Sequence, residues 1–249
     1  MDSAALTRAD APAPKLRRVG VITALPSEAR CLGSAAPRSG GPAALEPGVH
    51  LWVSGIGPAR AAHTAEASLQ AGARALLVCG LAGGLEPGLQ PGALVLAEAV
   101  ADAADGSLWG TDAAWRRHAR ARLPSAHAGT LVSQRTPVCS VADKARLRER
   151  FGALAVDMES AAVAIVAARH RVPFLAVRSI VDPASLTLPR AATEALDDAG
   201  RLQPLPLLKA TLYRPGELPD LSRLAVYNRR ALRSLRILAR ALHESWSPV

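Results

Sequence analysis

Residues 153–160, Ala153-Leu154-Ala155-Val156-Asp157-Met158-Glu159-Ser160, carry a short apolar strand straight into an acidic turn and then into an Ala-rich helix. A second stretch has the same form: Phe174-Leu175-Ala176-Val177 is apolar, and Arg178-Ser179-Ile180-Val181-Asp182 brings in charge. Apolar runs this short, without polar alternation, read as strands buried on both faces. Acidic residues at the carboxyl ends of two such strands can converge in the crevice where open α/β sheets bind ligands.

Working outward, strands are predicted over 18–24, 50–54, 75–81, 93–100 and 129–133. Helices are predicted over 58–71, 111–123, 141–151 and 158–170. A further helix starts at Pro26-Ser27-Glu28, because proline is tolerated in a first turn. This alternation predicts an α/β protein: one three-layer α/β/α domain with a mixed, mostly parallel sheet. The domain is expected over 18–249. Residues 1–17 are Ala/Pro-rich and aperiodic, and predict a disordered tail. Residues 183–219 form a Leu/Pro-rich segment. A final amphipathic helix is expected over 219–243, with Leu221, Leu224, Ala225, Leu232, Leu235 and Leu242 as its apolar stripe. Arg229, Arg233, Arg236 and Arg240 share its opposite face.

Composition narrows the function classes. Aromatics are 3% of the chain against 49% apolar residues, so the core must be built from Ala, Leu and Val. The net charge of +9 admits nucleic acid, an anionic membrane surface, anionic substrates or simply a solvated basic surface. No basic patch interleaved with aromatics suggests nucleic acid. Cys31, Cys79 and Cys139 form no CxxC pair, and the histidines are scattered, so neither a disulfide framework nor a metal site is expected. There is no apolar run of the roughly 18 residues that a membrane span needs, nor an apolar leader at the N-terminus. These features predict a cytoplasmic protein, with membrane-peripheral placement as the variant.

The glycine groups Gly55-Ile56-Gly57 and Gly80-Leu81-Ala82-Gly83-Gly84 match neither a Walker A loop nor a dinucleotide fingerprint. Their use would be close backbone approach to a ligand. Taken with Glu28, Asp157-Met158-Glu159 and Arg178 to Asp182, their order over residues 19–182 resembles the nucleoside phosphorylase/nucleosidase superfamily. The resemblance implies cleavage of the N-glycosidic bond of a nucleoside, with no cofactor beyond inorganic phosphate if the enzyme is a phosphorylase. That chemistry needs an acid for the leaving base and a carboxylate near the ribose. The resemblance implies that Glu28 activates the attacking water and that Asp182 protonates the purine. Glu159 would take the ribose 2′- and 3′-hydroxyls, and Met158 would pack on ribose and base. Gly80, Gly83 and Val138 would line the nucleoside, and Arg178 would orient the acidic pair. Glu28 also fits an ordinary first-turn acid, and Asp182 an ordinary turn residue before Pro183.

Several strings are most similar to the hopanoid-biosynthesis-associated branch: Gly80 to Leu85, Leu154 to Ser160, Asp182-Pro183-Ala184 and Tyr213 to Pro219. This similarity implies adenosylhopane as substrate, with adenine released. The Leu/Pro-rich stretch and the basic terminal helix would suit the lipid tail of such a substrate at a membrane surface, with peripheral membrane contact. The superfamily resemblance implies at least a homodimer. The departures are specific. Leu81 and Val181 stand where small-molecule nucleosidases carry serine, and Pro137 stands where they carry a stacking aromatic. Val78 and Cys79 stand where phosphorylases place an arginine, which favours water as nucleophile. The alternatives are a methylthioadenosine/adenosylhomocysteine nucleosidase and a catalytically idle binding protein on the same fold.

Overall fold

The computed structural model describes residues 18–33, 42–189, 215–243 and Trp246. The proposed tail over 1–17 and most of the Leu/Pro-rich segment, from 190 to 214, lie outside them.

Nine strands are described: β1 Val19–Thr23, β2 Ala43–Glu46, β3 Val49–Val53, β4 Ala75–Gly84, β5 Leu94–Asp102, β6 Leu108–Gly110, β7 His127–Ser133, β8 Ala153–Asp157 and β9 Phe174–Asp182. The helices are α1 Pro26–Leu32, α2 Pro58–Gln70, α3 Ala113–Arg122, α4 Val141–Phe151, α5 Ser160–His170 and α6 Leu218–Leu242. The strands alternate their side chains between two cores. Ile22, Leu76, Val78, Phe174, Ala176 and Ile180 face a layer built on α2 and α5. Val19, Val21, Leu77, Cys79, Leu175 and Val177 face a layer that includes Trp115 of α3 and Leu235 of α6. Burial on both faces is why these strands read as continuous apolar runs.

The pairing extends the sheet expected from sequence. β1 lies parallel between β3 and β4, and β9 lies parallel to β4. β5 pairs antiparallel with β9 and parallel with β7, which is parallel to β8. β8 then returns to the end of β4, with Gly83 opposite Val156 and Gly84 opposite Ala155. Strands β4, β9, β5, β7 and β8 therefore close a ring. Long β4 makes this possible: its start belongs to the β1 side, and its Gly83-Gly84 end reaches β8.

Three boundaries differ from expectation. β4 runs on through the glycines to Gly84, and β9 runs on to Asp182, because each continues the other's ladder. Helix α5 starts at Ser160, with Met158 and Glu159 left in the preceding turn, where Asp157 Oδ1 accepts the Glu159 and Ser160 amides. β2 and β6 are short antiparallel edge strands that carried no readable period. The stripe of α6 also shifts: Ala231, Leu235, Leu238 and Leu242 are buried, Leu221, Leu224 and Leu232 are half-buried, and Ala225 is exposed. Only the second half of the helix supplies buried residues, against α1 and β9. No helix among the described residues is long and apolar enough to cross a membrane.

Candidate active site

Arg178 is the hub of the first cluster. It leaves β9 fully buried, its Nε 2.7 Å from Asp157 Oδ2 and its Nη2 3.6 Å from Glu159 Oε2. Nε and Nη2 also donate to Ser160 Oγ, and Ser160 Oγ donates to Asp157. Ser133 Oγ donates to Asp157 Oδ1 at 2.5 Å and accepts the Ala161 amide. A planar guanidinium among three carboxylates is fixed by this many partners.

Glu28 completes the cluster from the first turn of α1. Its Oε2 accepts the Ala24 and Leu25 amides at 3.0 and 2.9 Å, folding it back on its own helix start. Its Oε1 accepts the Leu81 amide at 2.8 Å, from β4. The first-turn use and a place in the cluster are thus both realised by one side chain. Burial raises the Glu28 pKa, and Arg178 draws it back. Gly80 explains the proximity: a Cβ there would sit 2.7 Å from Glu28 Oε1 and 2.8 Å from Arg178 Nη1.

Glu159 lies across Arg178 from Glu28. Its Oε1 accepts the Gly57 amide at 3.0 Å, in the turn after β3, where Gly57 has φ +98°. That left-handed conformation is natural to glycine, which accounts for the Gly55-Ile56-Gly57 string. Burial pushes Glu159 up to about 7, against the pull of Arg178. At neutral pH it is poised between a hydroxyl-accepting carboxylate and a neutral acid.

Asp182 forms a second cluster at the end of β9. Gly83 stands opposite it in the ladder, and a Cβ on Gly83 would lie 3.3 Å from Oδ2. Its partner is Lys144 Nζ, 2.5 Å from Oδ2, from α4. Burial raises the Asp182 pKa, and Lys144 draws it back. Sequence reading missed Lys144. The readable signal was its place three residues before Leu147: both are buried, so the lysine occupies the core stripe of a helix. Asp157 was read only as part of a string, and Ser133 was not singled out.

Met158 is half-buried and lines a cleft of about 440 Å³ together with Ser133, Gln134 and Arg135 and with His63 and Glu66 of α2. Glu28, Glu159 and Asp182 do not line this cleft. Val138 is 6% exposed and sits in an apolar cluster with Leu85, Leu147 and Val156. Its side chain is packed as core, while the adjacent Pro137 is exposed. Among the described residues there is no group of three or more His, Cys, Asp or Glu that could hold a metal ion.

The fold is that of the enzymes that cleave nucleoside N-glycosidic bonds, by water or by phosphate, and the chain is an enzyme of that class. It belongs to the phosphorylase superfamily, whose family model matches residues 45–203. A curated relative, futalosine hydrolase of Streptomyces coelicolor, is 32% identical over 190 residues, 65% of this chain and 81% of the relative. Among solved structures, the fold matches 5′-methylthioadenosine/S-adenosylhomocysteine nucleosidase from Neisseria meningitidis, in complex with methylthio-immucillin-A. That match has a TM-score of 0.68 and 21% identity, covering 92% of this chain and 99% of the other. Futalosine hydrolase of Helicobacter pylori matches with a TM-score of 0.66 and 18% identity, covering 92% and 96%. Identities this low speak for the fold alone.

Proposed function

We propose that the enzyme hydrolyses a purine nucleoside that bears a bulky 5′ substituent, releasing the base. The observation that carries this reading is the placing of three buried carboxylates around one buried arginine, with Asp182 beyond them at the end of the same strand. In the mechanism, Asp182 gives a proton to the leaving purine as the C1′–N bond breaks. Glu159 accepts the ribose hydroxyls and orients the sugar. Glu28 takes a proton from the water that attacks C1′. Water is favoured over phosphate because Val78 and Cys79 are buried apolar residues where a phosphate-binding arginine would stand. Arg178 is already engaged by Asp157 and Glu159. Product analysis in phosphate buffer tests this: free ribose products support hydrolysis, and a ribose 1-phosphate overturns it.

For the 5′ group, the reading is a polycyclic lipid, as in adenosylhopane, with adenine as the base. It is supported by the hopanoid-branch strings and by the solvent face of α6. There, exposed Leu218, Val226 and Ile237 lie among exposed Arg229, Arg233, Arg236 and Arg240. Such a face suits anionic headgroups, each cation contributing about 1 kcal/mol. Flotation with anionic vesicles at low salt tests it. The second reading is a futalosine-type nucleoside, favoured by the 32% identity to the Streptomyces enzyme. Turnover of adenosylhopane against futalosine and 5′-methylthioadenosine separates the two. A homodimer remains part of the proposal, and the sedimentation of the full chain decides it.

A further inference from the structure

Lys144 is fully buried, and a lysine in that state requires complete pairing of its ammonium. It has three donors, and all three are used. Nζ donates to Asp182 Oδ2 at 2.5 Å, to the Pro183 carbonyl at 2.9 Å and to the Leu186 carbonyl at 2.8 Å. None is left for a substrate. The acceptors are the last residue of β9 and two carbonyls of the turn that follows it. One side chain therefore ties the carboxylate and its turn to α4.

The anchor is itself fixed. Ser140 caps α4 by accepting the Asp143 amide, and its carbonyl accepts the Lys144 amide. The Leu188 amide donates to the Cys139 carbonyl, fastening the same turn to the chain just before the helix. Asp182 also meets Gly83 and, near it, Val156, neither of which is charged. Among the described residues, Lys144 is the charged group that acts on Asp182.

We propose that Lys144 is a positioning residue for proton delivery: it holds Asp182 by Oδ2 and pins the turn beyond it, so that Oδ1 is presented to the leaving purine. The proposal rests on Asp182 being the general acid. In the step, the Oδ1 proton passes to the purine nitrogen while the C1′–N electron pair goes to the base. The carboxylate left behind is stabilised by the ammonium already at Oδ2. Water adds to C1′ and gives its proton to Glu28, so atoms and charge balance. A fixed cation costs no reorganisation when the negative charge appears.

The test compares two substrates of the full-length enzyme: the purine nucleoside it turns over fastest, and 4-nitrophenyl β-D-ribofuranoside, whose nitrophenolate leaves without protonation. Lys144→Met should lower kcat on the nucleoside about tenfold or more, with KM little changed, and largely spare the nitrophenyl riboside. Removing the cation also leaves burial unopposed at Asp182. The alkaline limb of kcat/KM on the nucleoside should therefore move to higher pH. The double variant Lys144→Met/Asp182→Asn should lose no more than Asp182→Asn alone. Equal losses on both substrates, or an unmoved alkaline limb, overturn the proposal and make Lys144 purely structural. If Lys144→Met does not fold, Lys144→Arg decides: it keeps the charge but replaces a point donor by a planar fork. A loss confined to the nucleoside then supports the proposal, and parallel behaviour on both substrates overturns it. Should Asp182→Asn itself spare the nucleoside, the acid assignment fails, which is a separate result from a failure at Lys144.

Discussion

Arg178 Nε lies 2.7 Å from Asp157 Oδ2, with both side chains 1% exposed. This pair joins the end of β8 to the middle of β9 and sets the direction of the guanidinium towards Glu28 and Glu159. A buried ion pair contributes little net stability over an apolar pair, but losing one partner strands the other. Asp157→Ala should therefore destabilise the protein by about 3 kcal/mol or more and remove activity, as thermal unfolding and base release would show. Asp157→Asn keeps the shape and several hydrogen bonds, so it should fold better than the alanine variant. Equal stability of wild type and Asp157→Ala would mean that Arg178 finds another partner.

Asp182→Asn should leave the fold intact and lower release of the purine by about 100-fold or more, because an amide cannot deliver the proton. Near wild-type turnover in a folded Asp182→Asn protein would remove Asp182 from the mechanism.

Glu159 supplies a pH signature. Its folded pKa is raised to about 7 from 4.5, so the folded state holds the proton more tightly than the unfolded state. At this site, stability is therefore lost as pH rises from about 4.5 through about 7. Ribose binding, which needs the ionised acceptor, is gained over the upper part of the same window. The value of kcat/KM should thus fall as pH is lowered through about 7, and Glu159→Gln should abolish that limb. The variant should also discriminate less than wild type against a 2′-deoxy substrate. An unchanged acid limb in Glu159→Gln would assign it to another group.

Gly80→Ala is a steric test of the cluster. The added methyl would press on Glu28 Oε1 and Arg178 Nη1 at under 3 Å, and both side chains are held by hydrogen bonds or ion pairs. A destabilisation of about 1–3 kcal/mol is expected. The loss of kcat should exceed what unfolding explains. Full activity with a lowered melting temperature would show that Glu28 can move without consequence.

Much of the fold was legible because its signals are local. The buried strands β1, β4, β8 and β9 are short apolar runs, and α2, α4 and α5 announce themselves by proline, a serine cap or alanine richness. Glu28, Glu159, Arg178 and Asp182 were legible as charges at strand ends. Lys144 was harder to see. On the page it is one of many basic residues in Ala-Asp-Lys-Ala-Arg-Leu-Arg, and only the helix phase separates it from exposed Arg146. Val138, placed along the nucleoside by resemblance, has its side chain in an apolar cluster, a direction that sequence does not show because a loop has no period to read.

The sequence by itself determined the order of the buried strands and of the helices between them, since apolar periodicity and turn chemistry act over a few neighbours, but not the edge strands β2 and β6 or the far ends of β4 and β9. Only the tertiary structure decided which ends meet. Strand pairing over long separations closes the ring β4-β9-β5-β7-β8, and that closure brings Gly83 between Val156 and Asp182. It also decided the charges' partners: a buried ion must find its counterion wherever packing places it, so Arg178 took Asp157 and Glu159, and Asp182 took Lys144.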